Sequence, residues 1–290
     1  MRNLILLCLV TRILFPVIGA AQVVFTETIH TMPVSIEIPL PDGIRSSHGT
    51  GIYLSESNKI FLVTATHVIF DLFATNKVDT LINTNAILTC DADEKDKKNI
   101  LRLNLERLSA EGLIKHNPSH DVTIIQIGTY VLTNTAIEWG DAITRPLGTN
   151  STFVVSDASY ACRLFEEVPM GNDTYVLGYP ISLFNGQPSE IDFDRPLVRK
   201  GVISQKNQKT RKLIIDSAVY GGNSGGPVLV VEHPSLEVTV FKIVGIITQY
   251  VPAEAKIDLS GGVTNKTSVK FNSGYGVAEP IDYALELMRK

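Results

Sequence analysis

The sequence predicts an all-β protein, either a sandwich or a pair of barrels. Short runs rich in Val, Ile, Thr and Tyr recur along the chain, separated by turn residues. Helical periodicity stays weak until the C-terminal end. The 290 residues are 44% hydrophobic and 19% charged, enough core for one large or two small domains.

The elements follow in chain order. Arg2 and the apolar run Leu4 to Ile18, ending in Gly19-Ala20-Ala21, read as a cleaved export signal over 1–21. Arg12 and Pro16 interrupt the run, which is short for a membrane span. The mature chain is then expected to be secreted or periplasmic, with no membrane attachment. The β-rich runs are Val34 to Ile38, Gly51 to Leu54, Ile60 to Thr64, Val122 to Ile127, Thr174 to Leu177, Lys212 to Ile215, Val228 to Val231 and Val238 to Ile247. Between Thr149 and Pro169 no clean period appears, so a boundary is expected there. Pro280 then opens a short helix, with Ile281, Ala284, Leu285 and Met288 at near-helical spacing.

Net charge is −4, and the basic run around Lys95, Lys97 and Lys98 alternates with acids. That excludes the clustered basic face of a nucleic-acid binder. Signal removal takes Cys8 and leaves Cys90 and Cys162. They either pair, closing a loop of about 70 residues worth roughly 4 kcal/mol, or are two separately buried thiols. No histidine stands at zinc-ligand spacing from either, so no metal or cofactor is expected. Asn150, Asn172 and Asn265 each begin an Asn-x-Thr triplet that fits the glycosylation pattern.

One segment carries the chemistry: Gly221-Gly222-Asn223-Ser224-Gly225-Gly226-Pro227. Glycines around one serine describe a tight exposed turn that a substrate carbonyl can approach. The serine can act as a nucleophile, and the N–H groups of Gly222 and Ser224 can face a developing oxyanion. A serine hydroxyl is weak at pH 7 and needs a base, itself oriented by an acid. His67 closes the apolar strand Phe61-Leu-Val-Thr-Ala-Thr-His67, and Asp121 opens the apolar strand Asp121-Val-Thr-Ile-Ile-Gln-Ile. Taken singly, the one reads as a core histidine and the other as a strand-start turn residue.

Together these segments resemble the chymotrypsin-clan serine proteases, most closely the HtrA-type bacterial protease domain. His48-Gly-Thr-Gly-Ile-Tyr-Leu and Val63-Thr-Ala-Thr-His67-Val are similar to that family's first barrel, and His120-Asp121-Val-Thr-Ile-Ile to its aspartate strand. Leu177-Gly-Tyr-Pro, Gly201-Val-Ile-Ser, the nucleophile loop from Asp216, Val244-Gly-Ile-Ile-Thr and Gly274-Tyr-Gly-Val-Ala-Glu-Pro resemble its second barrel. The resemblance implies two six-stranded antiparallel β-barrels over about 22–150 and 165–278, with a C-terminal helix over 280–289. It also implies a serine endopeptidase with His67, Asp121 and Ser224 as catalytic residues, Gly222 and Ser224 as oxyanion donors, and protein or peptide substrates.

Departures sharpen the expectation. Asn223 stands where animal digestive relatives carry an aspartate that pairs with a newly cut N-terminus, so no such activation is expected. Ala218, Val219 and Thr248 fall at the expected primary pocket and imply small or medium apolar side chains before the cut. About 60 residues follow Ser224, too few for the PDZ domains of HtrA-type enzymes, so a monomer is expected. Three alternatives stand beside this reading. One is a catalytically inactive, protease-like binding protein. Another is a hydrolase of esters rather than peptides on the same triad, although its α/β-hydrolase version would place the histidine last, and here it comes first. A metal hydrolase would need clustered ligands that the sequence lacks.

Overall fold

The computed structural model describes residues 27–40, 42–72, 80–91, 98–131, 136–146, 153–181, 190–235, 238–258 and 266–290. The expected export signal, the triplet at Asn150 and the residue Asn265 lie outside them. Asn172 lies inside, and its side-chain amide donates to the Val231 carbonyl at 3.3 Å.

The first half builds one curled sheet from β1 (Pro33–Pro39), β2 (Ser46–Glu56), β3 (Lys59–Thr64), β4 (Asn85–Asp91), β5 (Lys98–Asn104), β6 (Ile114–His116), β7 (Thr123–Val131), β8 (Ala136–Trp139), β9 (Ile143–Thr144) and β10 (Ser156–Asp157). Its order is β6-β7-β3-β2-β1-β4-β5-β9, with β8 against β7 and β10 against β2. The second half closes into a ring of six strands: β11 (Asp173–Gly178), β12 (Leu197–Asn207), β13 (Lys212–Asp216), β16 (Lys266–Pro280), β15 (Val238–Asp258) and β14 (Pro227–Ser235). This is the expected double-barrel architecture, mostly strand, with a short C-terminal helix. The first half is the looser one: it curls as a half-barrel, and among the described residues its two ends do not hydrogen-bond.

Alternation explains the inward faces. In β4, Ala86, Leu88 and Cys90 are buried while their neighbours are not. They pack with Val34, Ile36, Leu62, Leu101 and Ile125 in a core inside the first sheet. A second core fills the ring, from Val176, Ile203, Leu213, Ile215, Val228 and Val244. A third lies between the halves, where Leu54, Phe61 and Ile124 of the first half meet Tyr175, Leu229 and Ile246 of the second. The C-terminal helix, Asp282–Met288, seals that seam with Ala284, Leu285 and Met288.

The expected boundary region stitches the halves together. Ser156 pairs with Leu54 of β2, and Cys162 bridges to Ile243 of β15. Cys90 and Cys162 belong to different cores and are free thiols, so the pairing left open by the sequence is not made. Among the described residues no helix is long and apolar enough to cross a membrane.

Candidate active site

The three residues singled out by the sequence meet where the halves face each other. Strand β3 delivers His67 on a one-turn helix, Thr66–Ile69. The turn between β6 and β7 delivers Asp121, with the Val122 N–H closing on the His120 carbonyl at 2.8 Å around it. The segment between β13 and β14 delivers Ser224. His67 Nδ1 lies 2.6 Å from Asp121 Oδ2, and its Nε2 lies 2.8 Å from Ser224 Oγ. Asp121 Oδ1 also accepts the His67 backbone N–H at 3.0 Å, so one carboxylate fixes both ring and backbone. A carboxylate at this position can only accept, which assigns the ring proton to Nδ1 and leaves Nε2 as the acceptor facing the Ser224 hydroxyl. The imidazole is about one third exposed, open enough for a substrate to reach.

The serine's turn is shaped by contacts that admit only glycine. Gly222 has φ +98°, and a Cβ there would collide with the Tyr179 carbonyl oxygen. Gly225 has φ +85°, and a Cβ there would strike the Thr50 carbonyl oxygen and the Thr64 hydroxyl. Asn223 is buried, and its Oδ1 accepts the Tyr220 N–H at 3.1 Å, while its own N–H donates to the Tyr220 carbonyl at 2.9 Å. The turn is therefore tied by its own residues.

Thr50 of β2 grips this turn from the other half. Its N–H donates to the Ser224 carbonyl at 2.7 Å. Its hydroxyl donates to the Gly222 carbonyl at 2.7 Å and accepts the Tyr179 N–H at 3.1 Å. Sequence reasoning passed over Thr50. The signal was its place between two glycines in the segment quoted for the first barrel. Among the described residues, the N–H groups of Gly222 and Ser224 donate to no acceptor, and both belong to the turn that carries the serine hydroxyl.

A sequence model of the trypsin-like peptidase domain matches residues 49–233. The chain belongs to the trypsin-like peptidases. Comparison with curated proteins finds no match. Among solved structures it is similar to an HtrA-type protease with tripeptide, at 18% identity and TM-score 0.47, over 90% of this chain and 60% of that one. It is similar to a serine endoprotease from Yersinia pestis at 17% identity and TM-score 0.47, over 92% of this chain and 66% of that one. A protease from M. tuberculosis in its active form shares 15% identity, with TM-score 0.47, over 91% of this chain and 83% of that one. The chain thus spans about two thirds or less of the length of the first two.

The residues expected to line the primary pocket divide. Ala218 is partly exposed. Val219 is buried and packs with the core of the ring. Thr248 is also buried, with its hydroxyl 3.5 Å from the Val277 carbonyl.

Proposed function

We propose that this peptidase cleaves peptide bonds by acyl transfer through Ser224, His67 and Asp121. The observation that carries this is the continuous chain of short contacts, 2.8 Å from Ser224 Oγ to the imidazole and 2.6 Å from the imidazole to Asp121. His67 takes the Ser224 proton as the hydroxyl oxygen attacks the scissile carbonyl. It returns that proton to the leaving amine, and an ester links the acyl group to Ser224. Water, deprotonated by His67, then attacks the acyl carbon; the bond to Ser224 Oγ breaks, His67 returns the proton to that oxygen, and the carboxylic acid product leaves. Asp121 holds the imidazole tautomer and stabilises the imidazolium. The free N–H groups of Gly222 and Ser224 receive the oxyanion, a contribution of about 3–4 kcal/mol.

The enzyme acts on protein or peptide substrates as a monomer, without metal or cofactor, in a secreted or periplasmic location after signal removal. Asn223 closes the serine's turn with a neutral amide, so no newly cut N-terminus is required to complete the site. The preference for small or medium apolar side chains before the cut rests on Ala218, Val219 and Thr248, of which Ala218 is partly exposed and the other two are buried.

A fluorophosphonate probe tests the mechanism. Labelling of the mature protein that disappears in Ser224→Ala is the expected result, and no labelling of the wild type would end the proposal. A peptide library dominated by Lys, Arg or Glu before the cut would overturn the pocket reading alone.

A further inference from the structure

The carboxylate of Glu279 has no place in the chemistry above, yet it is completely buried. It sits on β16, paired with Ile246 of β15. Burying a carboxylate costs several kcal/mol unless its partners are well placed, and an apolar residue would fill the site more cheaply. Its two oxygens face two different elements. Oε1 lies 2.8 Å from Lys212 Nζ on β13, within the same ring. Oε2 lies 3.1 Å from His120 Nδ1, which belongs to the first half of the molecule.

His120 is the residue before Asp121. Its carbonyl accepts the Val122 N–H, so Asp121 is the middle residue of that tight turn and its direction follows from where His120 is held. The His120 ring also lies flat on Tyr283 of the C-terminal helix, centroids 3.5 Å apart and planes 17° from parallel. Next to Tyr283, Asp282 binds the Phe165 N–H at 2.9 Å and the Arg211 guanidinium at 3.1 Å. The helix start is thereby fixed to the ring.

We infer that Glu279 and His120 form a latch across the two halves that positions Asp121, and through it His67, against Ser224. The reasoning rests on the proposed triad. Base and acid ride on one half and the nucleophile on the other, so catalysis needs the gap between halves held to a fraction of an ångström. The Glu279–His120 contact spans that gap beside the acid. Lys212 compensates the buried charge without crossing it. Both latch residues act through Asp121 and touch no substrate atom.

Two substitutions at His120 separate the latch from plain packing. His120→Phe keeps the ring on Tyr283 and loses the bond to Glu279. His120→Asn loses the stack and keeps an N–H donor near the position of Nδ1. The readouts are kcat and KM on a peptide substrate, and the low-field proton resonance of the His67–Asp121 hydrogen bond. His120→Phe and Glu279→Gln are expected to lower kcat about 10- to 100-fold with KM little changed, and to shift or broaden the resonance. His120→Asn is expected to retain most of both. The opposite ranking, with Phe active and Asn impaired, would overturn the latch, as would wild-type kcat and resonance in all three. Should Glu279→Gln fail to fold, the His120 pair decides, because that side chain is at the rim and about one fifth exposed. If the wild type cleaves nothing, the triad proposal fails by itself, and the resonance still reports whether the latch holds Asp121.

Discussion

Replacing Thr50 by Val tests whether the first half shapes the nucleophile's turn. The side chain is fully buried, and Val keeps its outline, so no cavity is added. Lost are one donor to the Gly222 carbonyl at 2.7 Å and one acceptor for the Tyr179 N–H at 3.1 Å. Each stranded group costs about 1–3 kcal/mol, so the variant should lose about 2–6 kcal/mol of folding stability. Part of that loss should appear in catalysis, because the Gly222 carbonyl anchors the residue whose N–H is proposed to receive the oxyanion. Losing one such donor costs about 100- to 1,000-fold in kcat, so a misdirected one should cost a sizeable part of that. Thr50→Ser keeps the hydroxyl and should retain most activity. Urea denaturation gives the stability change, and burst titration with an activated ester followed by kcat on a peptide gives the rest. A Thr50→Val enzyme with wild-type midpoint and kcat would refute the reasoning.

Other outcomes are equally specific. Gly225→Ala forces a methyl group against the Thr50 carbonyl at a φ of +85°, so a loss of about 3 kcal/mol and of fluorophosphonate labelling is expected; normal labelling would contradict the geometry. Burial pushes the thiols of Cys90 and Cys162 up to about 12, so dithionitrobenzoate near pH 8 should reach them only in denaturant. Rapid reaction of the folded enzyme would show otherwise. The Arg163 guanidinium, bonded to both oxygens of Glu232, holds that carboxyl below the usual carboxylate range. A depressed folded value adds stability above the unfolded carboxyl value and loses it as pH falls through the folded one. The pair is partly exposed, so Glu232→Gln should cost at most about 1 kcal/mol at pH 7 and progressively less in acid. Urea midpoints measured from pH 7 down to pH 3 check this, and a cost that grew with acid would reverse the assignment.

Much of the fold was readable because buried strands announce themselves. Each β-rich run named from the sequence overlaps a strand. The strands passed over are those with weaker signals. In β12 most residues are half-buried or exposed, and a Gly and several charged side chains hide its register. The helix Leu105–Ala110 is too short to show a period, and only its Asn104 cap, accepting the Arg107 N–H at 2.9 Å, marks it. The meeting of His67, Asp121 and Ser224 was legible through their local contexts and chain order. Their supports were not. Thr50 contacts a carbonyl 172 residues away, and Glu279 contacts a histidine 159 residues away. No local pattern encodes such pairings, because the fold alone creates them. Val219 and Thr248, named from their chain positions as pocket residues, are buried. Proximity along the chain to Ser224 or to a pocket strand says little about which face a side chain takes.

The open first sheet has a consequence for how this protein survives at high concentration. A long bare strand margin is a template on which a second chain can zip, the first step toward fibres. Among the described residues, the terminal strands β6 and β9 offer only three and two residues. Ledges this short hold few backbone groups, so a second chain that zipped onto β6 or β9 would gain few hydrogen bonds.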